Sequence, residues 1–331
     1  MIVPITVVTG FLGSGKTTLI NNVLKQVDDS NEKVLIIVNE FGEVGVDHDL
    51  LQTSDEKIVQ LNNGCVCCNL REDLVSSILE CVTQPKAKEL ESIIIETTGV
   101  ADPLPIIRAI QTSPYLRPHV KLDSVISVVD GINVMKNSEA VTEVKQQLAY
   151  ADRFILTKSN EIADDKKQEL LTHLSRVNPL ADVRYFSKAK PFPTRDFFNL
   201  ELFDAVKEIE GLISEEQLHE HDGSCSCQSC SGHDPKEFES VVLTTPNYVP
   251  ENKLVRWLDE VVLHFEGALY RYKGLIRIED RELMGALQGV VTHYELGLTP
   301  HLAEDSLTKL VFIGKGLDKQ YLESSFKKLT N

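Results

Sequence analysis

"TVVTGFLGSGKTTLI", residues 6–20, decides how the first half of this chain folds. Ile5 to Thr9 read as a buried strand. The turn after it carries Gly10, Gly13, Ser14, Gly15, Lys16, Thr17 and Thr18 in GxxxxGKT/S spacing. Glycines let the backbone bend tightly and aim its N–H groups at an anion, while Lys16 adds a point charge. Leu19, Ile20, Val23 and Leu24 recur at helical spacing, so a helix follows and presents its positive N-terminus to the same anion. The Thr17 hydroxyl suits Mg²⁺ beside a phosphate. Strand, loop and helix in this order predict a site for nucleoside phosphates.

Working outward, apolar runs at 34–38, 58–61, 92–96, 124–129 and 153–157 alternate with helical patterns near 17–27, 70–84, 139–150 and 164–177. That alternation predicts an α/β P-loop NTPase fold with a mainly parallel sheet, covered on both faces, its ligand at the carboxyl ends of the strands. The domain is expected over residues 1–212. Residues 213–236, including "SEEQLHEHDGSCSCQSCSGHD", carry almost nothing apolar and read as a flexible linker. Residues 237–331 read as a small α+β domain: strand "FESVVLTT", helix 251–265, strand "LIRIE", helix 281–286, strand "KLVFIG" and helix 318–329.

The 331 residues leave room for about two domains. A formal net charge of −16 argues against nucleic acid or an anionic membrane as partner. No apolar run approaches the roughly 18 residues of a membrane span, and the N-terminus lacks the pattern of an export signal. A cytoplasmic protein is expected. Six of the seven cysteines sit in two tight clusters, which favours metal or redox chemistry over disulfides. Cys81, within an apolar helical pattern, reads as a core residue.

Further motifs carry chemistry. In "IIIETTG", residues 93–99, Glu96 ends a buried strand, where a carboxylate can join a Mg²⁺ shell, and the Gly99 N–H can meet a γ-phosphate. A structural strand-end glutamate is the alternative. "NEFGEVGVD", residues 39–47, places Glu40, Glu43 and Asp47 in a glycine-broken loop suited to a switch, or simply to solvent. "LTKSN", residues 156–160, puts Thr157, Lys158 and Asn160 where many GTPases carry Asn/Thr-Lys-x-Asp. An amide at 160 turns its NH₂ toward guanine's donors, which weakens guanine selectivity. Cys65, Cys67 and Cys68 suit a soft cation such as Zn²⁺ or Cu(I), with Glu40 or Glu43 completing the shell. A redox pair or inert buried thiols are the alternatives. His219, His221, Cys225, Cys227, Cys230 and His233 crowd a segment with no core to justify them. They read as a metal-loading cluster with more donors than the four one zinc needs.

Taken together, "GFLGSGKTT", "NEFGEVGVD", "NGCVCC", "ETTGVADP", the Thr-Lys segment, the His/Cys-rich insert and "RYKG" resemble the CobW-like family of P-loop GTPases, the metal-chaperone group, over nearly the whole chain. The resemblance implies slow hydrolysis of GTP with Mg²⁺, and binding of a transition metal, most often zinc, for delivery to a client metalloprotein. By position it assigns Lys16 and Thr17 to phosphate and Mg²⁺. It makes Glu96 the start of a second switch, and puts the metal on the CxCC thiols, Cys67 foremost, with switch carboxylates. Asn160 departs from the family's usual aspartate. A homo-oligomer stays open, as do two other functions: nucleotide-regulated metal storage or sensing, and small-molecule phosphotransfer, for which no lid is evident.

Overall fold

The computed structural model describes residues 2–30, 33–40, 58–62, 70–84, 89–200, 238–304 and 306–330. They fall into two compact units. One takes in the chain up to His173 and resumes at Ala181; the other takes Leu174–Leu180 and the carboxy-terminal part. The expected linker, residues 213–236, lies outside the described residues.

The first unit is built on strands β1 (Val3–Thr9), β2 (Val34–Glu40), β3 (Ile58–Asn62), β4 (Ser92–Thr97), β5 (Val120–Asp130), β6 (Arg153–Thr157) and β7 (Asp182–Tyr185). They form a seven-stranded sheet in the order β3-β2-β4-β1-β5-β6-β7. Every pairing is parallel, so all carboxyl ends meet at one edge. Helices are α1 (Lys16–Ser30), α2 (Leu70–Thr83), α3 (Leu104–Thr112), α4 (Val134–Ala140), α5 (Thr142–Ala149) and α6 (Asp164–Val177).

The strands are rich in Val and Ile because both their faces are buried. Leu19, Ile20, Val23 and Leu24 of α1 pack with Val8, Ile94, Ile126 and Val128 on one face. The alternate residues Ile5, Val7, Ile93, Ile95 and Val125 point the other way and are equally buried. The α/β architecture read from the sequence is therefore the one observed. Two details differ. The single helix expected over 139–150 is two, because Val141 adopts an extended conformation (φ −131°) between α4 and α5. Helix α3 was not anticipated; prolines crowd its start, where a missing N–H is tolerated, and Asp102 Oδ1 accepts from Leu104 N at 2.9 Å.

The second unit contains β8 (Phe238–Thr245), α7 (Glu251–His264), β9 (Leu269–Ile276), β10 (Leu283–Val290), β11 (His293–Leu302), β12 (Thr308–Lys315) and α8 (Lys319–Leu329). Its sheet runs β11-β10-β9-β12-β8 with antiparallel pairings throughout. Leu254, Trp257, Leu258, Leu322 and Phe326 from the two helices share one core with Val241, Leu243, Tyr272, Leu287 and Phe312 from the sheet. The α+β class stands, but residues 281–286 are not a helix: β10 begins at Leu283. Its glycines make room for aromatic and branched neighbours, since a Cβ at Gly289 would lie 2.2 Å from the Tyr272 ring. Pairing with β9 and β11 overrides the helical look of the local pattern.

Candidate nucleotide-binding site

The phosphate loop leaves β1 at the middle of the sheet's carboxyl edge. Gly10 (φ +142°), Gly13 (φ +72°) and Gly15 (φ +99°) adopt conformations that side chains resist. A Cβ at Gly10 would also lie 2.3 Å from the Val128 carbonyl. Lys16 is 9% exposed; its Nζ bends back over the loop to donate to Gly10 O (2.8 Å) and Phe11 O (3.4 Å). Ser14 Oγ is buried without a hydrogen-bond partner among the described residues. A curled backbone, a folded-back ammonium and an orphaned hydroxyl fit a phosphate chain. Thr18 lies in the first turn of α1.

Two hard oxygens meet beside this loop. Thr17 Oγ1 donates to Glu96 Oε1 at 3.0 Å, and Glu96, at the end of β4, is 2% exposed. Donors of this kind fit Mg²⁺. Three residues on, Gly99 presses on the loop: a Cβ there would lie 2.5 Å from Leu12 Cδ2 and 2.7 Å from its backbone nitrogen. The glycine lets the segment after β4 touch the phosphate loop.

The end of β6 supplies the opposite wall. Thr157 Oγ1 donates to Ser14 O (2.7 Å) and Val129 O (3.2 Å). Lys158, in the left-handed region at φ +55°, donates to Asp130 Oδ2 (2.7 Å) and Gly13 O (3.1 Å). Asp130 also accepts from the backbone N–H groups of Ile132 (3.0 Å) and Asn133 (3.3 Å), and from Asn133 Nδ2 (2.9 Å). Burial pushes the Asp130 carboxyl up, but the Lys158 ammonium and these donors outweigh it and hold the group below the ordinary carboxylate range. Asn160 is exposed, on a single 3-10 turn, Ser159–Glu161.

The model described as "CobW/HypB/UreG, nucleotide-binding domain" matches residues 4–184, the stretch holding all these contacts. The chain belongs to this family. The CobW assignment extends to the second unit, where the "Cobalamin synthesis protein cobW C-terminal domain" matches residues 238–330. Among CobW-type relatives, the zinc chaperone YjiA of Escherichia coli K12 is 29% identical over 332 residues, covering 98% of each chain. Zinc-regulated GTPase metalloprotein activator 1 of Saccharomyces cerevisiae is 26% identical over 372 residues, covering 98% of this chain and 83% of that one. The crystal structure of Zn(II)-bound YjiA GTPase from E. coli matches with a TM-score of 0.75 at 25% identity, covering 100% of both chains.

Against this CobW frame, the structure brings Gly10, Gly13, Ser14, Gly15, Lys16, Thr17, Glu96, Gly99, Thr157 and Lys158 to one edge of the sheet. Glu40 ends β2, but its side chain lies outside the described residues. So do Glu43, Asp47, Cys65, Cys67 and Cys68, and the linker donors His219, His221, Cys225, Cys227, Cys230 and His233. Among the described residues no three or more His, Cys, Asp or Glu side chains gather as a metal site, and no helix is long and apolar enough to cross a membrane. Cys81 is half-buried on α2, its thiol pushed up by burial and then by Glu80.

Two site residues were not anticipated. Asp130 ends the apolar run of β5 just as Glu96 ends that of β4, and that parallel was the available signal. Gln147 of α5 is buried and donates to Gly99 O (3.2 Å) and Ala101 O (3.1 Å). A glutamine in an amphipathic helix gives no such signal.

Proposed function

We propose that this chain is a GTP-hydrolysing metallochaperone that binds a transition metal ion, zinc first, and passes it to a client metalloprotein in step with its nucleotide state. The observation that carries the reading is the meeting of Thr17 and Glu96 at 3.0 Å, three residues before a glycine pressed on the phosphate loop. The names of the relatives point the same way.

In this reading the loop N–H groups and Lys16 bind the phosphates, and Gly99 N–H reports the γ-phosphate. Thr17 and Glu96 would hold Mg²⁺, which supplies charge neutralisation on the phosphates when bound. Among the described residues no side chain is placed as a general base, so in this reading positioning and charge carry the catalysis. Thr157, Lys158 and Asn160 border the base. Zinc is cargo. Its donors, Cys65, Cys67 and Cys68 with Glu40 or Glu43, lie in sequence between the end of β2 and the end of β4, the two switch segments. Linkage then requires that nucleotide and metal alter each other's affinity by the same factor. Residues 1–212 bind nucleotide, 213–236 load metal, and 237–331 form the CobW-type carboxy-terminal domain. The donor surplus in the insert favours nucleotide-regulated metal storage as the second reading.

The test is a chelator-competition titration of zinc on protein lacking residues 217–234, with and without a non-hydrolysable GTP analogue. Closed zinc sites are worth about 10–16 kcal/mol in all, so losing one ligand costs several orders of magnitude. Cys67→Ser should lose zinc affinity on that scale while keeping GTP affinity. Unchanged zinc affinity would sink the internal site, and identical affinity with and without the analogue would sink the coupling.

A further inference from the structure

The roles assigned above leave Gln147 unused. Helix α5 buries Val144, Gln147 and Leu148 along one stripe, where an amide costs free energy unless its polar groups are matched. Its Nε2 protons go to the carbonyls of Gly99 (3.2 Å) and Ala101 (3.1 Å). Ala101 N in turn donates to Thr98 O at 3.1 Å, closing a turn with Gly99 inside it. One side chain from a distant helix thus grips the turn that touches Leu12 of the phosphate loop. Gln147 Oε1 is buried without a hydrogen-bond partner among the described residues. The residue also lines a cavity of about 20 Å³ with Phe11, Leu12 and Asn137, the size of one water. The amide therefore lies between the second switch and the back of the phosphate loop.

We infer that Gln147 is a positioning residue for the γ-phosphate: its amide fixes the Thr98–Ala101 turn with Gly99 N–H at the phosphate loop, and so sets part of the preference for GTP over GDP. This rests on the role given to Gly99 above. A diphosphate makes no contact with that N–H, so disturbing the turn reaches a diphosphate only through the Leu12 contact with the phosphate loop. A ligand shifts or feels a conformation only through its differential interaction with it. The effect therefore falls chiefly on the triphosphate, a difference that a merely structural glutamine would not produce.

The test substitutes Gln147→Met, of similar length but without donors, and Gly99→Ala, in the full chain with Mg²⁺. Dissociation constants for GDP and for a non-hydrolysable GTP analogue are measured, with kcat and KM for GTP. Two neutral hydrogen bonds at about 1 kcal/mol each give a loss of tenfold or more. Gln147→Met should weaken the analogue by that factor, hold GDP within about twofold, and lower kcat. Gly99→Ala should shift the same ratio. Equal weakening of both nucleotides, or a loss of thermal stability alone, makes Gln147 structural and overturns the inference. A ratio shifted by Gly99→Ala but not by Gln147→Met overturns it too, while leaving the Gly99 role intact. If neither shifts the ratio, the Gly99 role falls and the inference with it. A second measurement needs no variant: in the natural protein, amide exchange along α5 should slow with the analogue relative to GDP. Equal exchange in the two states overturns the inference.

Discussion

Replacing Asp130 by asparagine probes the wall that joins the end of β6 to the phosphate loop. Asp130→Asn keeps the shape and an acceptor for the N–H groups of Ile132 and Asn133, but turns an amide NH₂ toward Lys158. The Lys158 side chain is 38% exposed and that of Asp130 is 9% exposed, so water screens part of the attraction. The loss should fall below the roughly 3–5 kcal/mol of a broken buried pair, at about 1–2 kcal/mol. Lys158 also holds Gly13 O at 3.1 Å, so its release loosens the loop for any nucleotide. GDP and GTP should both weaken about 5- to 30-fold, the factor that 1–2 kcal/mol represents, with their ratio kept. Titration with fluorescent GDP and GTP analogues measures this, and urea unfolding measures the stability change. The folded Asp130 carboxyl titrates below its unfolded value. Its contribution to stability is therefore complete above the unfolded pKa near 4, roughly that of a free aspartate side chain, and is lost as pH falls through the lowered folded value. The stability gap between natural and variant protein should accordingly close in acid. Affinities within twofold of the natural protein, together with an unchanged gap at every pH, would refute the clamp.

Asn160→Asp should tighten GTP by about tenfold to a hundredfold, because a charged acceptor adds roughly 1.5–3 kcal/mol over a neutral amide facing guanine's donors. XTP should bind the natural protein comparatively well. Strong GTP preference in the natural protein, unmoved by the substitution, would place base selection elsewhere, with Glu161 as first suspect. Deleting residues 217–234 should lower bound zinc per chain, counted by elemental analysis, yet leave basal GTP hydrolysis and the melting temperature of metal-free protein nearly unchanged. Only Leu218 could join a core, and loop length costs little. A large drop in that melting temperature would mark the segment as structural.

Elements came through the sequence where one local signal sufficed. Leu19, Ile20, Val23 and Leu24 declare both helix and face, and the glycine spacing before them declares the loop. Residues 281–286 misled because Leu283, Met284, Ala286 and Leu287 mimic a helical stripe. What makes them a strand is the fit of Gly285 and Gly289 under Ile278 and Tyr272, which only the tertiary pairing reveals. Strand β11 escaped notice for the opposite reason: it is an edge with Leu298 and Leu302 exposed, so no buried alternation marks it. In the site, Lys16, Thr17, Glu96 and Gly99 were readable as spaced motifs. Asp130 and Gln147 act on backbone and on Lys158 across sequence gaps of 28 and 46–48 residues, and no spacing rule encodes such a meeting.

The left-handed backbone of Lys158 hides the loss of usefulness from a heat screen. A side-chain-bearing residue held there costs about 1–2 kcal/mol that glycine would not. The pair with Asp130 returns about the same 1–2 kcal/mol, so a library screened only for survival on heating would accept glycine at 158 as readily as lysine, or asparagine, which tolerates that region. Each such winner would discard the ammonium that reaches Asp130 and Gly13. Thermostable descendants of this chain should be sorted at that one codon before any other, because there an unchanged melting temperature can conceal a broken nucleotide site.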